Sequence, residues 1–453
     1  MHTHTDTICA ISTPPGIGGI AVARVAGPRA IEITDTLWHG KPLAATPAYT
    51  ARVGTITEPD GTTLDQAVAT VYRAPHSFTG DDIVEIAVHG SRYVQRRLIA
   101  LLSDAGCRVA APGEFTRRAF MAGKLDLAQA EAVADVIASS SRAAHRIAIS
   151  QLNGTFSRRL ADLRQQLIDL AALLELELDF SEEDVEFASR TRLVTLATTL
   201  QTEIRRLLDS YNGGRAIKEG IPVAIVGPAN VGKSSLLNRL LDDDRAIVSD
   251  IPGTTRDTVE ETLHIGDYLF RFIDTAGIRA TDDPVEQLGI TRSLHARARA
   301  HILLSLSTTP PSPAPWPEQS EGTHSPSTPL TIHIINKTDL SPDAPISAGA
   351  IGISAKTGAG IDHLRALLTD AACQLTASTD GESDIITNAR HAQALADAAD
   401  STARVIDGLT SGLAPDLVAQ DLRQTIAHLG SITGAVTSTD ILTTIFSRFC
   451  IGK

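Results

Sequence analysis

Gly227-Pro228-Ala229-Asn230-Val231-Gly232-Lys233-Ser234 decides the fold of the middle of this chain. It fits GxxxxGK[ST], follows the strand-like run Val223 to Val226 and opens the helix-like run Ser235 to Leu241. Strand, glycine-rich turn and helix in that order form the context in which the motif works. Glycines let backbone N–H groups curl around phosphate oxygens. Lys233 supplies a cation for the β and γ phosphates, and Ser234 offers a hydroxyl to magnesium.

Three further strings follow in the order a guanine-nucleotide domain requires. Asp274-Thr275-Ala276-Gly277 ends the run Tyr268 to Ile273, where a carboxylate can hold a magnesium-bound water and the glycine N–H can meet the γ-phosphate. Asn336-Lys337-Thr338-Asp339 ends another run. The Asp339 carboxylate can accept from N1–H and the 2-amino group of guanine, which adenine cannot supply. Ser354-Ala355-Lys356 closes the next run, within reach of the guanine oxygen. GTP binding is the reading of this constellation.

Outward from the motif, β-rich runs at His301 to Leu306, Thr331 to Ile335 and Ile351 to Ile353 alternate with helical segments, as a parallel α/β sheet requires. Residues 307–330 are proline-, serine- and threonine-rich and read as a surface loop. Leu160, Leu163, Leu167, Leu170 and Leu174 repeat at helical spacing, with a break expected at Asn153-Gly154 and an end to the periodicity at Tyr211 to Gly214. Helical, alanine-rich character returns beyond Asp384 and runs to Phe449. The N-terminal stretch mixes strand-like runs (Ile20 to Val25, Gln66 to Tyr72, Ile83 to Val88) with turn clusters. The fold class expected is an α+β N-terminal domain and an all-α helical domain interrupted by an inserted, mostly parallel α/β P-loop GTPase domain. The expected boundaries are 1–120, 121–215, 216–380 and 381–453.

At 453 residues, 43% hydrophobic and 21% charged, the chain has the composition of a folded, multi-domain protein. No apolar run reaches membrane-spanning length and the first residues lack a signal-peptide pattern, so no membrane and a cytoplasmic setting are expected. The net charge of −13 means that any polyanion must be held by a local basic patch. Arg142, Arg146, Arg158, Arg159 and Arg164 form the densest such run, equally readable as a solvated helix face. Cys9, Cys107, Cys373 and Cys450 show neither zinc nor disulfide spacing.

Many GTPases carry glutamine directly after the DxxG glycine to orient the attacking water, but Ile278 stands there and has no hydrogen-bonding group. Water must be oriented by other means. Thr254 and Thr255, in Asp250-Ile251-Pro252-Gly253-Thr254-Thr255-Arg256-Asp257, suit a switch loop, Thr255 being the better candidate for magnesium and the γ-phosphate.

GPANVGKS with Asn230, SDIPGTTRD, DTAGIR followed by Glu286, NKTD, SAK and the terminal FCIGK together resemble the MnmE (TrmE) family of tRNA-modification GTPases. Thr13-Pro14-Pro15-Gly16, Ser77-Phe78-Thr79-Gly80, Pro112-Gly113-Glu114-Phe115 and Lys124 to Glu131 extend the resemblance over essentially the whole chain. It implies a dimerising GTPase in which GTP is held by Asn230, Val231, Gly232, Lys233, Ser234, Ser235, Ser249, Asp250, Ile251, Pro252, Gly253, Thr254, Thr255, Asp274, Thr275, Ala276, Gly277, Asn336, Lys337, Asp339, Ser354, Ala355 and Lys356. Magnesium would take Ser234 and Thr255. Potassium would take Asn230, Ser249, Ile251 and Thr254, standing where other GTPases place an arginine finger. Glu286 would orient water and Arg279 would belong to the loop after DTAG; without the resemblance Glu286 reads as a solvated helix-start charge.

The resemblance further implies a 5-formyl- or methylene-tetrahydrofolate carrier at Arg24, Glu85, Lys124 and Lys453, a set that composition alone leaves as surface charges. It implies a catalytic Cys450, which otherwise reads as an inert buried thiol. The partners implied are tRNA, a second copy of the chain and the FAD-dependent MnmG (GidA) protein in a heterotetramer. The product implied is an aminomethyl or carboxymethylaminomethyl group on C5 of wobble uridine 34. The sequence departs from the family in the Pro228-Ala229 order, in Pro252 within the switch and in the proline-rich 307–330 segment. A related GTPase switch in ribosome assembly is the alternative; it calls for a KH-type GXXG module after the nucleotide domain, and helices ending in FCIGK stand there instead.

Overall fold

The computed structural model describes residues 6–179, 190–228, 230–242, 260–273, 298–309, 329–341, 349–375, 385–436, 439–447, 449–450 and 452. In chain order the first elements are β1 (Ile8–Ile11), β2 (Gly18–Ala26), α1 (Ala30–Leu37), β3 (Trp38–His39), β4 (Thr50–Thr57), β5 (Thr63–Tyr72), β6 (Ile83–Gly90), α2 (Arg92–Asp104), β7 (Arg108–Val109) and α3 (Glu114–Met121). The helices α4 (Leu127–Ala138), α5 (Arg142–Leu152), α6 (Thr155–Asp179) and α7 (Arg190–Glu219) follow. Next come β8 (Ile221–Val226), α8 (Lys233–Asp242), β9 (Glu261–Ile265), β10 (Tyr268–Phe272), β11 (Ile302–Ser307), β12 (Leu330–Ile335), β13 (Ala350–Gly352) and α9 (Ile361–Gln374). The described elements end with α10 (Ala389–Ser411), α11 (Pro415–Thr433) and α12 (Thr439–Phe446). They divide into two compact units, one of residues 1–137, 151–168 and 426–453, the other of 138–150 and 169–425.

The first unit carries a seven-stranded sheet in the order β3-β4-β5-β6-β2-β1-β7, antiparallel except for the β1–β7 pair. Period-two alternation sorts its side chains. Ala21, Ala23 and Val25 of β2, Ala67, Ala69 and Val71 of β5, and Val84, Ile86 and Val88 of β6 are buried with residues of α1 and α2. The intervening residues, Val22 and Arg24, Val68 and Thr70, Glu85 and Ala87, are partly or fully exposed. One face of the sheet is therefore packed by helices and the other is left open, as antiparallel sheets permit.

The second unit carries a six-stranded sheet in the order β13-β12-β11-β8-β10-β9, parallel except for the β10–β9 edge. Its central strand β8 is buried at all six positions, which is why Val223 to Val226 within it reads as a continuous apolar run. The inserted, mostly parallel α/β domain is thus present, between α7 and α10. Leu160, Leu163, Leu167, Leu170 and Leu174 are all buried along α6, and Gly154, at φ +75°, makes the turn between α5 and α6. Among the described residues no helix is long and apolar enough to cross a membrane.

One expectation fails instructively. The sequence places the end of the periodicity at Tyr211 to Gly214, yet α7 continues to Glu219. The glycines are there for packing rather than termination. A Cβ on Gly213 would lie 2.1 Å from the Leu375 carbonyl oxygen, and one on Gly214 would lie 2.2 Å from that of Ile386. Ser210 completes the seam, donating to the Leu207 carbonyl at 2.6 Å and accepting from the Ile386 N–H at 3.0 Å. Glycine costs helix stability locally, but here it lets another backbone touch the helix.

Candidate functional site: a nucleotide cradle and an Arg24–Glu85 cluster

Parallel strands deliver their carboxyl ends to one edge of a sheet, and ligand-binding loops gather there. Register brings the motifs together: Val226 of β8 lies opposite Ser305 of β11, Ser307 opposite Ile335 of β12, and Ile335 opposite Gly352 of β13. The loops that follow β8, β12 and β13 carry Gly227 to Ser234, Asn336 to Asp339 and Ser354 to Lys356.

Asn336 is the brace between them. It is buried, donating through Nδ2 to the Val231 carbonyl at 2.8 Å and accepting through Oδ1 from the Ala355 N–H at 3.1 Å. Gly232, at φ +100°, is required by the same contact, since a Cβ there would sit 2.3 Å from Asn336 Nδ2. Lys337 Nζ donates to the Asn230 carbonyl at 2.8 Å, and both residues hold left-handed backbone, φ +65° and +60°. Ser354 Oγ donates to Asp339 Oδ1 at 2.6 Å, which orients an exposed carboxylate. Lys233 Nζ donates to the carbonyls of Gly227 and Pro228 at 2.8 and 2.9 Å, and burial lowers its pKa from the ordinary lysine value. An anion brought beside it would favour the charged form. Val231 lies in the turn before α8, Ser234 and Ser235 stand in its first turn and Lys356 follows Ala355, all within the same cradle.

Other residues named from sequence lie outside the described residues: Ser249, Asp250, Ile251, Pro252, Gly253, Thr254 and Thr255 of the switch string, Asp274, Thr275, Ala276 and Gly277, then Arg279, Glu286 and Lys453. Part of the basic run is engaged, Arg142 and Arg146 reaching Asp267 at 3.5 and 3.9 Å. Arg158 donates to the Asn153 carbonyl and to Thr155 Oγ1.

A second cluster forms in the first unit. Arg24 and Glu85 are directly opposite on β2 and β6, and the guanidinium meets the carboxylate at 2.7 Å. The Tyr72 hydroxyl donates to the other carboxylate oxygen at 3.2 Å. Phe78 and Phe115 each place a ring 5.5 Å from the Arg24 guanidinium carbon. Lys124 is exposed, with Cε 3.7 Å from where a Cβ on Gly80 would stand, so it borders the loop that carries Phe78. The strings around Phe78 and Phe115 were legible, but the roles of these rings, and of Tyr72, were not; the only signal was aromatic residues in a sequence poor in them.

The C-terminal tail reaches this neighbourhood. Phe446 and Phe449 pack with Leu127 and Ala130. The Gly113 N–H, close before Phe115 in the chain, donates to the Cys450 carbonyl at 3.3 Å. Ser12 Oγ donates to the Gly452 carbonyl at 3.1 Å, beside Ile11, the cross-strand partner of Ala23. Cys450 is held between these two anchors and is exposed, so it is not the buried thiol that sequence alone allowed. Next to Gly113, Glu114 is buried: burial raises its pKa, but hydrogen bonds from Arg108, the Ala111 N–H and Arg118 outweigh that and hold it at about 2.

Residues 127–450 match the family model described as the MnmE helical domain, and residues 7–124 match that of the GTP-binding protein TrmE N-terminus. The chain belongs to the MnmE family. Proteins named tRNA modification GTPase MnmE from Parabacteroides distasonis and Porphyromonas gingivalis are 48% and 47% identical to it, each over 99% of this chain, and the matches cover 100% and 98% of those relatives. One from Cytophaga hutchinsonii is 44% identical over 99% of this chain and 98% of its own length. The chain is accordingly a GTP-binding GTPase of this family.

Proposed function

We propose that this chain is a potassium-activated GTPase that acts on tRNA, with the cradle around Asn336 as its GTP site. With the FAD-dependent MnmG partner it adds an aminomethyl or carboxymethylaminomethyl group to C5 of wobble uridine 34 in certain tRNAs, using a tetrahydrofolate one-carbon donor. The observation that carries this reading is the presence, in one chain of this family, of a braced nucleotide cradle and of an exposed Cys450 anchored to Gly113, two residues before the Phe115 that packs on Arg24.

Each part has its support. Magnesium, which would stabilise charge on the phosphates, suits the hard hydroxyl oxygens of Ser234 and Thr255. Potassium suits Asn230, whose side chain is exposed on a left-handed residue of the cradle, together with Ser249, Ile251 and Thr254. Glu286 would orient water in place of the glutamine that Ile278 replaces, with Arg279 in the neighbouring loop. Arg24, Glu85, Lys124 and Lys453 would hold the folate carrier, the cations facing its glutamate tail. The uncovered sheet face, with Val53 81% and Val68 38% exposed as direct cross-strand partners, fits a homodimer contact. The domain boundaries proposed are 1–120, 121–215, 216–380 and 381–453, in a cytoplasmic protein.

The decisive experiment is mass spectrometry of tRNA nucleosides from cells with and without the gene. Loss of the modified wobble uridine, restored by the intact gene but not by Cys450→Ser, is expected; an unchanged nucleoside profile would sink the tRNA reading in favour of a ribosome-assembly switch. GTP turnover in potassium against sodium at matched ionic strength tests the cation, and equal rates would remove it.

A further inference from the structure

Aromatic residues are 4% of the sequence, yet three of them contact Arg24 or Glu85 and a fourth packs on one of the three. Three have an evident role, since Phe78 and Phe115 lie against the guanidinium and Tyr72 bonds the carboxylate. The fourth, Tyr49, packs edge-on against Tyr72, with ring centroids 5.9 Å apart and planes at 85°. Its peptide N–H donates to the Val71 carbonyl at 2.7 Å and its hydroxyl to the His76 carbonyl at 2.7 Å. The ring is thus fixed at its base, its edge and its tip. It is nonetheless 66% exposed.

Its backbone is also unusual. Tyr49 has φ +59°, in the left-handed region that bulky side chains seldom occupy. Among the described residues only two other non-glycines share it, Asn230 and Lys337, and those two bond each other in the nucleotide cradle. Strained backbone persists where the surroundings over-determine it, and such residues gather at ligand sites. Core packing does not explain Tyr49, because the residue is largely exposed. A glycine would take the same backbone without strain, so what the tyrosine adds at this position is its ring.

We propose that Tyr49 is a stacking platform, a ligand-contacting residue whose exposed face receives the planar pyrimidine-type ring of the carrier bound over Arg24 and Glu85. The proposal rests on the reading of that cluster as the tetrahydrofolate site. Offset stacking on a ring that is already immobile fixes the ligand without a further ordering cost, whereas a freely rotating tyrosine would lose that freedom on binding.

The experiment titrates 5-formyltetrahydrofolate into the full-length protein by calorimetry, using the wild type, Tyr49→Phe and Tyr49→Gly, with thermal unfolding and light scattering on each. Tyr49→Phe keeps the ring and should bind within about threefold of wild type; Tyr49→Gly should bind at least about tenfold more weakly. The glycine variant should unfold within a few degrees of wild type, because relief of the left-handed backbone offsets the lost contact with Tyr72 and the lost hydrogen bond to His76. Wild-type-like binding by Tyr49→Gly would overturn the platform while leaving the folate site standing. Weak binding accompanied by a change in molecular mass would also overturn it, because Tyr49 would then be acting through subunit contact. No binding by the wild type would remove the folate reading, and the platform with it.

Discussion

The nucleotide cradle and the Arg24–Glu85 cluster are built on opposite principles. The cradle consists of contiguous strings, each following one strand of a parallel sheet, and its members stay neighbours in sequence: Gly227 to Ser234, Asn336 to Asp339, Ser354 to Lys356. The cluster takes one residue at a time, Arg24 from β2, Glu85 from β6, Tyr72 from β5, Phe78 from a loop and Phe115 from α3. A parallel sheet gathers loops at an edge, whereas an antiparallel sheet gathers alternate side chains on a face. A site of the first kind leaves a motif in the sequence, and one of the second kind leaves scattered single residues.

The sharpest way to break this comparison is to cut the tie between strings. Asn336→Ala leaves the Val231 carbonyl and the Ala355 N–H without their buried partner, and should cost about 3 kcal/mol of stability. GTP affinity should fall at least about a hundredfold, read by calorimetry with a non-hydrolysable analogue, since each bond lost is of order 1–3 kcal/mol. Near-wild-type affinity would mean that each string works alone.

In the other unit Glu114 carries a strong electrostatic effect. Its folded-state pKa of about 2 lies below its ordinary value of 4.5. The stabilisation is therefore complete above about pH 4.5 and is lost as the pH falls through 2, about 3 kcal/mol in all. Glu114→Gln should flatten the stability curve over that acid range in urea titrations; a parallel curve would show that Arg108 and Arg118 do not govern it.

Gly113→Ala probes the anchoring of the tail. The added Cβ would lie 2.7 Å from the Phe446 carbonyl oxygen on a backbone at φ +65°. A loss of about 2 kcal/mol is expected, together with faster alkylation of Cys450 by a maleimide as the tail loosens. Unchanged labelling would show that Phe446 and Phe449 hold the tail without this contact. The smallest effect is the coupling between Arg24 and Glu85, side chains 20% and 26% exposed. A double-mutant cycle with Arg24→Met and Glu85→Gln should return about 1 kcal/mol, weakening in salt. A much larger value would show that the cluster is a rigid network rather than a cross-strand pair.

Much of the fold was legible. The runs Val223 to Val226, His301 to Leu306 and Thr331 to Ile335 mark the parallel strands β8, β11 and β12 to within a residue or two, and Leu160, Leu163, Leu167, Leu170 and Leu174 of α6 are buried. Gly213 and Gly214 misled, because a local glycine signal cannot tell a helix end from a close crossing by residues 375 and 386. The edge strand Glu261–Ile265 left no signal, because only Leu263 and Ile265 alternate inward and two apolar positions are too few to mark a period.

What the sequence determined by itself was the nucleotide chemistry, because phosphate and guanine are bound by backbone turns and short loops whose residues must be adjacent in the chain. What only the tertiary structure decided was which single charges and rings meet. The pairing of Arg24 with Glu85 depends on strand register, the placing of Cys450 on where a terminus more than 300 residues from Gly113 returns to the fold, and the exposed ring of Tyr49 on a backbone conformation that its own residue type disfavours.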